Sequence, residues 1–419
     1  MTAVAPTEQQ RIVVVGASAA GLAVAETLRR SGHRGSITLI GAERHAPYDR
    51  PPLSKQILAG EWDGSRLPLR PADTLAALGL DLRLGTVATG VDLAARTVAL
   101  AAAAGSARGD GEGDTAAEAA VCADRVPYDS LVIATGVRPR RLPGEGAHVL
   151  RTLDDALTLR ERIKPGSRLI VVGAGFLGAE AAAVASGLGA HVILLEPAPV
   201  PMAHVVGEPV GAAIGQAHRE HGVDLRTGIE VMSVAKDGVL LADGSILEAD
   251  AVLVAVGSMP NTEWLEDSGL TLGDGVHCDA RGCAAPAVYA AGDVARWHNP
   301  RYGVDMRIEH RTNAAEMGMA VARNILSPDT VEDFAPVPYF WSDQYDLRIQ
   351  AYGYLRGHEE IDIVHGGLAE RRFVAAYRTA DRLSGVLVLG LPPRALRPWR
   401  QAAAAGIPWD ARTSVEFSA

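Results

Sequence analysis

Short apolar runs that end at a glycine-rich turn are the main pattern along the chain, and the first lies near the N-terminus. The run Ile12–Val15 enters the sequence G-A-S-A-A-G at 16–21, and apolar residues then recur at helical spacing as far as Leu28. A second run, 36–40, precedes Glu43, which lies 22 residues after the turn. Short β-branched runs indicate strands, and a spacing of three to four residues indicates a helix. This order predicts a strand, a tight turn, a helix and a second strand.

The same order recurs in the middle of the chain. The run 169–172 is followed by G-A-G-F-L-G at 173–178, by a helical stretch to Leu188 and by the apolar run 192–195. Glu196 then lies 18 residues after the last glycine of the turn. The chain therefore contains two strand-turn-helix-strand units of similar plan.

Each unit is followed by an apolar strand that ends in a glycine, with a proline three residues on. These strands are 131–136, with Pro139, and 253–257, with Pro260. After about residue 330 the pattern changes to alternating positions, which are typical of half-buried strands. The alternating runs are 361–364, 373–377 and 385–389. They predict a small antiparallel sheet.

We therefore predict an α/β protein with two Rossmann-like dinucleotide-binding domains and a small C-terminal α+β domain with an antiparallel sheet. The predicted boundaries are 1–145 with 250–328 for a discontinuous first domain, 146–249 for the second and 329–419 for the C-terminal domain. The segment 101–120, rich in Ala, Gly, Ser and acidic residues without periodicity, is predicted to be a surface hairpin insertion or a flexible loop.

The two glycine turns point to dinucleotides. In G-x-G-x-x-G the first glycine permits the turn, the second lets the backbone approach a pyrophosphate and the third lets the helix pack on the strand. The second unit has all three glycines, whereas the first has Ser18 in the middle position. A serine is small enough to keep the backbone accessible, and its hydroxyl could donate to a phosphate. Two such turns, each with a distant acid, predict two bound dinucleotides.

Glu196 predicts which nicotinamide cofactor is used. A carboxylate at the end of this strand accepts from a free ribose 2′-hydroxyl and repels a 2′-phosphate. We therefore expect NADH to be preferred over NADPH.

The amino-acid composition indicates which binding partners are unsuitable and in which cellular compartment the protein is expected. The net charge of −10 over 419 residues argues against binding to nucleic acid or to an anionic membrane surface. Three cysteines are too few for a disulfide framework and fit a reducing cytoplasm. The N-terminal stretch has neither the basic nor the apolar region of a signal peptide, and no run reaches the roughly 18 apolar residues of a membrane helix. A cytoplasmic protein is expected.

Lysine is scarce, which makes one of the lysines notable. The 40 basic residues comprise 37 Arg and 3 Lys, and Lys55 ends the sequence P-P-L-S-K. A lysine kept within a patterned motif in such a chain is a candidate functional residue.

Four blocks of sequence identify the chain as similar to a known family. They are P-Y-D-R-P-P-L-S-K at 47–55, A-T-G at 134–136, A-A-G-D-V-A at 290–295 and F-W-S-D-Q-Y at 340–345. Together they resemble the oxygenase-coupled ferredoxin reductases of the putidaredoxin reductase type, within the glutathione reductase-like flavoproteins. The resemblance covers nearly the whole chain apart from the 101–120 insertion. It implies that FAD binds to the discontinuous domain and NADH to the second domain.

The resemblance also implies roles for individual residues. The first glycine turn and Glu43 would hold the ADP half of FAD, and Lys55 would lie beside the flavin ring near N5. A cation there stabilises charge on reduced flavin. Glu180 would lie near the nicotinamide, and Lys55 and Glu180 are the candidate catalytic residues. Asp293 would bind a ribityl hydroxyl or the pyrophosphate through the helix that follows it.

The remaining candidate cofactor-binding residues follow from the same blocks. For FAD they are Gly16, Ser18, Ala19, Ala20, Gly21, Arg50, Ala88 through its backbone to the adenine, Thr135, Gly136, Arg151, Arg311 and Trp341. For NADH they are Gly173, Gly175, Phe176, Leu177, Gly178, Glu196 and Gly257. No metal ligand is predicted. Arg311 stands where relatives often carry a bulky aromatic residue, so that it could stack on a ring or face an acidic partner.

Cys278 and Cys283 have the C-x4-C spacing of a redox disulfide but lie about ten residues before the A-A-G-D turn. The redox pair of disulfide reductases would belong where this chain has P-P-L-S-K. We therefore expect electrons to leave by another route than a thiol pair.

The resemblance implies an NADH-dependent FAD protein that passes electrons to a [2Fe-2S] ferredoxin serving a monooxygenase or a Rieske-type dioxygenase. One alternative is a rubredoxin or nitrite-type reductase or an NADH oxidase, and another is an apoptosis-inducing-factor-like NADH-sensing binding protein. An acidic ferredoxin would need an arginine-rich rim. The candidate arginines are Arg296, Arg301, Arg307 and Arg311, and Arg394, Arg397 and Arg400. We expect a monomer or weak dimer.

Overall fold

The computed structural model describes residues 10–103 and 124–415, which form two compact units. Unit 1 comprises Met1–Asp49, Pro68–Val137 and Pro260–Pro336, and unit 2 comprises Arg50–Leu67, Arg138–Met259 and Val337–Ala419. The 101–120 insertion lies outside the described residues except for its first three, and so does Cys122. The three-domain division stays a prediction. No helix in the described part of the chain is both long enough and apolar enough to cross a membrane.

The strands of the described residues are β1 Ile12–Val15, β2 Ile37–Gly41, β3 Asp81–Leu84, β4 Thr86–Asp92, β5 Thr97–Ala102, β6 Asp124–Pro127, β7 Ser130–Ile133, β8 Val137–Pro139, β9 Arg168–Val172, β10 His191–Glu196, β11 Asp224–Thr227, β12 Val231–Ala235, β13 Gly238–Leu241, β14 Ile246–Glu248, β15 Ala251–Val254, β16 Ser258–Pro260, β17 Leu272–Gly273, β18 Gly275–Cys278, β19 Cys283–Ala285, β20 Val288–Ala290, β21 Ala295–Asn299, β22 Val304–Met306, β23 Tyr339–Gln344, β24 Leu347–Gly353, β25 Glu360–Gly367, β26 Arg372–Thr379 and β27 Arg382–Leu389.

The α-helices of the same residues are α1 Ala19–Arg30, α2 Gln56–Ala59, α3 Ala72–Ala77, α4 Leu153–Arg162, α5 Phe176–Gly187, α6 Ala203–Val206, α7 Glu208–Glu220, α8 Arg311–Leu326 and α9 Leu396–Ala405. Short 3-10 turns lie at Pro51–Ser54, Gly64–Arg66, Glu263–Ser268, Gly292–Val294, Pro393–Ala395 and Trp409–Ser414.

Unit 1 is built around a six-stranded sheet in the order β19-β20-β7-β1-β2-β3. The central strand β1 pairs in parallel with both β2 and β7, and its four residues are buried. A strand buried on both faces needs an apolar, β-branched sequence, which is what I-V-V-V provides. The helices α1 and α8 pack so closely that a Cβ at Gly318 would lie 2.5 Å from the backbone oxygen of Ala20.

Two further sheets complete unit 1. One is the antiparallel sheet β4-β5-β6, and the other has the order β17-β18-β21-β22. Strand β21 pairs with β18 and β22, and it buries Trp297 at its centre.

Unit 2 contains a second parallel sheet, in the order β11-β10-β9-β15, and a small antiparallel sheet, β12-β13-β14. Strand β9 is central and pairs in parallel with β10 and β15. This is the arrangement that the second glycine unit predicted.

The C-terminal part of unit 2 is a five-stranded antiparallel sheet, β23-β24-β27-β26-β25, with both faces covered. Successive residues of a strand point to opposite faces. In β26, Phe373 and Tyr377 pack with residues of α6 and α7, whereas Val374 packs with Trp399 of α9. The helix α7 and this sheet therefore share one core. The α/β class with a C-terminal antiparallel sheet is confirmed.

Candidate functional site

The first glycine turn joins β1 to α1 in unit 1. Gly16 has a φ of +128°, and a Cβ there would lie 2.0 Å from the backbone oxygen of Ala134. A Cβ at Gly21 would lie 2.0 Å from the backbone oxygen of Gly16, so only glycine fits either position. Ser18 is the N-cap of α1 but its side chain makes no capping hydrogen bond, and Ala19 and Ala20 form the first helical positions.

The turn fits the diphosphate of a dinucleotide. The first N–H groups of a helix have no partner within the helix, and they carry its positive end. In α1 these groups are not capped by a side chain, and its first turn has no acidic residue. Such a helix start can accept an anionic group.

The other unit 1 candidates lie around the same sheet. Glu43 follows β2, and its carboxylate accepts a hydrogen bond from the hydroxyl of Tyr48. Ala88 lies in β4 beside a bulge of the β4-β5 ladder. The Thr135 hydroxyl donates to the backbone oxygen of Asn261 at 2.8 Å, and Gly136 has a φ of +65°.

The helix that follows Asp293 does not begin directly after it, and the role of Asp293 toward the cofactor stays a prediction. Asp293 lies in the 3-10 turn Gly292–Val294, and the chain continues as strand β21. The reason is that Trp297 fills the interior from this strand while its backbone pairs on both sides. The nearest following helix, α8, begins at Arg311, whose guanidinium pairs with the carboxylate of Asp49.

The second glycine turn joins β9 to α5 in unit 2 and repeats the geometry of the first. Gly173 has a φ of +99°, and a Cβ at Gly178 would lie 2.0 Å from the Gly173 oxygen. Gly175, the N-cap, differs because a Cβ there would meet no atom within 4 Å. Phe176 and Leu177 follow as the first two helical residues, both half-buried. Open space above Gly175 leaves room for a second dinucleotide.

Glu196 is held against this turn by two backbone groups. One carboxylate oxygen accepts from the N–H of Ala174 at 2.7 Å, and the other accepts from the N–H of Ala198 at 3.0 Å. The negative charge is therefore fixed at the end of β10, beside the turn.

A buried ionic cluster in unit 2 brings Lys55 and Glu180 together. The Lys55 ammonium lies 2.7 Å from the Glu180 carboxylate, and their side chains are 13% and 7% exposed. The hydroxyl of Ser54 donates to the same carboxylate oxygen at 2.6 Å, and that of Ser342 donates to the other oxygen at 2.7 Å. A buried charge needs such partners because the surrounding protein solvates it poorly. The two candidate catalytic residues therefore form one site.

The remaining unit 2 candidates lie in separate places. The Arg50 guanidinium donates to the backbone oxygen of Arg151 at 2.6 Å, immediately before α4. Trp341 is half-buried in β23, and its ring stacks on that of Tyr339 with centroids 5.9 Å apart. Gly257 follows β15 with a φ of +95°.

The chain matches two family descriptions. "Pyridine nucleotide-disulphide oxidoreductase" matches residues 10–318, and "Reductase C-terminal" matches residues 339–417. The chain belongs to the pyridine nucleotide-disulphide oxidoreductase family.

Individual relatives indicate which branch of this family the chain resembles. Putidaredoxin reductase of Pseudomonas putida is 36% identical over 397 residues, which is 91% of this chain and 89% of the relative. The ferredoxin–NAD(+) reductase component of the p-cumate 2,3-dioxygenase system, also from Pseudomonas putida, is 38% identical over 367 residues, with 84% and 85% covered. The reductase in a crystal structure of the covalent putidaredoxin reductase–putidaredoxin complex has a TM-score of 0.86 and 33% identity, with 95% of this chain and 94% of that chain covered. The resemblance to the oxygenase-coupled ferredoxin reductases is confirmed, as are FAD and NADH as cofactors.

The two cysteines that the structure describes do not have the properties of a redox pair. Cys278 and Cys283 are free. Burial, helped by the charge of Asp279, raises the pKa of Cys278 to about 12 and also raises the pKa of Cys283. Because the thiolate is the reactive form, neither thiol is activated. Among the described residues, no group of three or more His, Cys, Asp or Glu side chains is arranged to hold a metal ion.

Sequence reasoning missed several buried polar residues that are linked to Glu180 by successive hydrogen bonds. Ser342 and Gln344 lie in the F-W-S-D-Q block, at alternate positions of β23, and both are buried. Two polar residues on the buried face of a strand were a detectable signal. His218, which is 0% exposed in α7, carried no such signal.

Proposed function

We propose that this protein oxidises NADH and passes the electrons to a [2Fe-2S] ferredoxin that serves a monooxygenase or a Rieske-type dioxygenase. The buried Lys55–Glu180 pair carries the proposal, because a fixed cation is suited to stabilising negative charge on a reduced cofactor. Bound FAD would take a hydride from NADH and release the electrons one at a time. The similarity to putidaredoxin reductase and to the ferredoxin–NAD(+) reductase component of the p-cumate 2,3-dioxygenase system supports this acceptor class.

We propose residue roles in the same way. The first glycine turn would hold the ADP half of FAD, and Lys55 would approach the flavin. The second glycine turn would hold NADH, with Glu196 selecting against a 2′-phosphate, because its fixed carboxylate would repel a second anion. The open space above Gly175 supports close approach of a pyrophosphate.

An arginine-rich docking surface is the finer part of the proposal. Two groups of arginines are candidates, one within 296–311 and one within 394–400. In the first group, Arg307 pairs with Asp274 and its side chain is only 10% exposed, while Arg296 lies 3.5 Å from the same carboxylate. In the second group Arg394, Arg397 and Arg400 are exposed. We propose this second group, at the start of and along α9, as the rim that meets an acidic ferredoxin. The cytoplasmic location and the monomeric or weakly dimeric state stay predictions.

Cytochrome c reduction by NADH, with and without an added [2Fe-2S] ferredoxin, tests the function. We expect the rate to depend on the ferredoxin and to saturate with it. Rubredoxin is the matched acceptor, since a rubredoxin–NAD(+) reductase of Pseudomonas putida is 31% identical over 396 residues. A rate that is independent of ferredoxin, or higher with rubredoxin, would contradict the proposal.

A further inference from the structure

A line of buried polar side chains leads away from the Glu180 carboxylate through unit 2. Glu180 is 5% exposed, Ser342 is 0%, Gln344 is 1% and His218 is 0%. A buried polar group is costly unless it is hydrogen-bonded, so four in succession need a common explanation.

These side chains form one continuous chain of hydrogen bonds. The Ser342 hydroxyl donates to Glu180 at 2.7 Å, and the Gln344 amide Nε2 donates to the Ser342 oxygen at 3.2 Å. The Gln344 Oε1 lies 3.0 Å from His218 Nε2. The hydroxyl of Tyr345 lies 2.9 Å from His218 Nδ1.

The chemistry of the groups fixes the direction of the chain. The Glu180 carboxylate forms an ion pair with the Lys55 ammonium and accepts from the Ser54 hydroxyl at the same oxygen, and a carboxylate can only accept. Ser342 must then donate to the other oxygen, and its own oxygen accepts from Gln344. Gln344 presents its carbonyl to His218, whose Nε2 therefore carries the proton and whose Nδ1 accepts from the Tyr345 hydroxyl. Every donor points toward Glu180.

The series of hydrogen bonds ends at Tyr345, whose backbone conformation is unfavourable for a tyrosine. Tyr345 has a φ of +56° in the two-residue link between β23 and β24, a position that suits Asn, Asp or Gly. A bulky residue in this region of backbone conformation is strained. Its ring stacks on His221 with centroids 3.8 Å apart while its hydroxyl reaches His218. The tyrosine is therefore placed by these side chains and not by the needs of the turn.

We propose that Ser342, Gln344 and His218 are positioning residues, which orient the Glu180 carboxylate and through it the Lys55 ammonium. This inference rests on the proposed place of Lys55 beside the flavin. Without the Ser342 donor the carboxylate would be held at one oxygen only, and Lys55 would be held less firmly at one point. Ser342 and Gln344 belong to β23, and His218 belongs to α7. These two elements would therefore influence the Lys55–Glu180 site through hydrogen bonds alone.

Ser342→Ala tests the proposal, with Ser384→Ala as the matched control. Ser384 is a buried serine of the same sheet. Its hydroxyl donates to the backbone oxygen of Tyr377 and takes no part in the hydrogen bonds that lead to Glu180. One hydrogen bond to a charged group corresponds to about a tenfold effect. We expect Ser342→Ala to slow reduction of the bound flavin by NADH about tenfold in stopped flow. Its midpoint potential should fall by about 30 mV, the two-electron equivalent of a tenfold change.

A conservative variant and a double variant distinguish a positioning role of Ser342 from general disruption of the fold. Ser342→Thr keeps the hydroxyl and should restore both readouts. Lys55→Met should also lower the potential, and adding Ser342→Ala to it should have little further effect, because both act through the same ammonium. The pair Gln344→Leu and Gln350→Leu repeats the comparison, since Gln350 is buried in β24 but bonds to Tyr339.

Two failures are distinguishable. If Lys55→Met lowers the potential but Ser342→Ala and Ser384→Ala behave alike, or if Ser342→Ala adds fully to Lys55→Met, the positioning chain is overturned. If Lys55→Met leaves the potential unchanged, the proposed place of Lys55 fails instead. Orientation of Glu180 is then judged by urea unfolding of Ser342→Ala, Glu180→Gln and the double variant. Coupled effects would support it, and additive effects would overturn it.

Discussion

His218 is the buried residue whose charge state matters most at the residue scale. Burial lowers its pKa from 6.5 to about 4, with a smaller contribution from His221, although the hydrogen bond to Gln344 acts the other way. The unfolded chain therefore binds a proton at a higher pH than the folded chain does. Stability from the neutral ring is complete above about pH 6.5 and falls as the pH drops to 4, by about 3 kcal/mol in total.

We expect His218→Gln to remove most of this pH dependence. The measurement is the free energy of unfolding in urea at several pH values between 7 and 4. His221→Gln is the control, since His221 is exposed and stacks on the same tyrosine. An equal loss of stability on acidification in the wild type and in His218→Gln would show that His218 is not the titrating group.

At the element scale, the second glycine turn contains one glycine that the fold does not require and that we expect to matter for dinucleotide binding. A Cβ at Gly175 meets no atom within 4 Å, and its φ of −70° suits any residue. Gly175→Ala should therefore change the free energy of unfolding by no more than about 0.5 kcal/mol. The new methyl group would occupy the space above the start of α5, so we expect the Kd for NADH to rise about tenfold, with FAD content unchanged.

Two other glycines of α5 provide the comparison. Gly178→Ala would place a Cβ 2.0 Å from the Gly173 oxygen, and we expect a loss of about 1 to 3 kcal/mol in unfolding free energy. Gly187→Ala, which also has open space around it, should change neither stability nor NADH binding. If Gly175→Ala binds NADH as tightly as Gly187→Ala does, the dinucleotide does not approach this turn.

The elements that the sequence predicted correctly are those specified by local pattern. Both strand-turn-helix units depend on glycines and apolar residues within about 30 positions of each other, and turn and period are local properties. The sequence did not show that the helix after Asp293 begins only at Arg311, because strand pairing with β18 and β22 decides the segment between them. The Ser342–Glu180 and His218–Gln344 bonds join residues 162 and 126 positions apart. Such contacts are set by packing of α5 and α7 on the C-terminal sheet, which no local pattern specifies.

On the scale of the whole molecule, charge decides how a partner is found. The net charge of −10 would repel an acidic ferredoxin, so association depends on a local positive surface. Arg394, Arg397 and Arg400 recur at intervals of three residues and are exposed, and the Arg400 guanidinium lies 4.6 Å from the centre of the Tyr352 ring. A cluster of this kind attracts an acidic partner over roughly one Debye length, about 8 Å at physiological salt.

Replacing Arg394 and Arg397 by Glu tests this surface. We expect the KM for the ferredoxin to rise about tenfold or more at low salt, with a smaller effect at high salt, because salt screens exposed charges. Reduction of a small artificial acceptor by NADH should not change, since neither arginine belongs to the Lys55–Glu180 cluster. Arg34→Glu with Arg141→Glu is the matched control, because both residues are exposed and the net charge changes by the same amount. Equal effects of the two double variants would mean that net charge, and not the α9 arginines, governs docking.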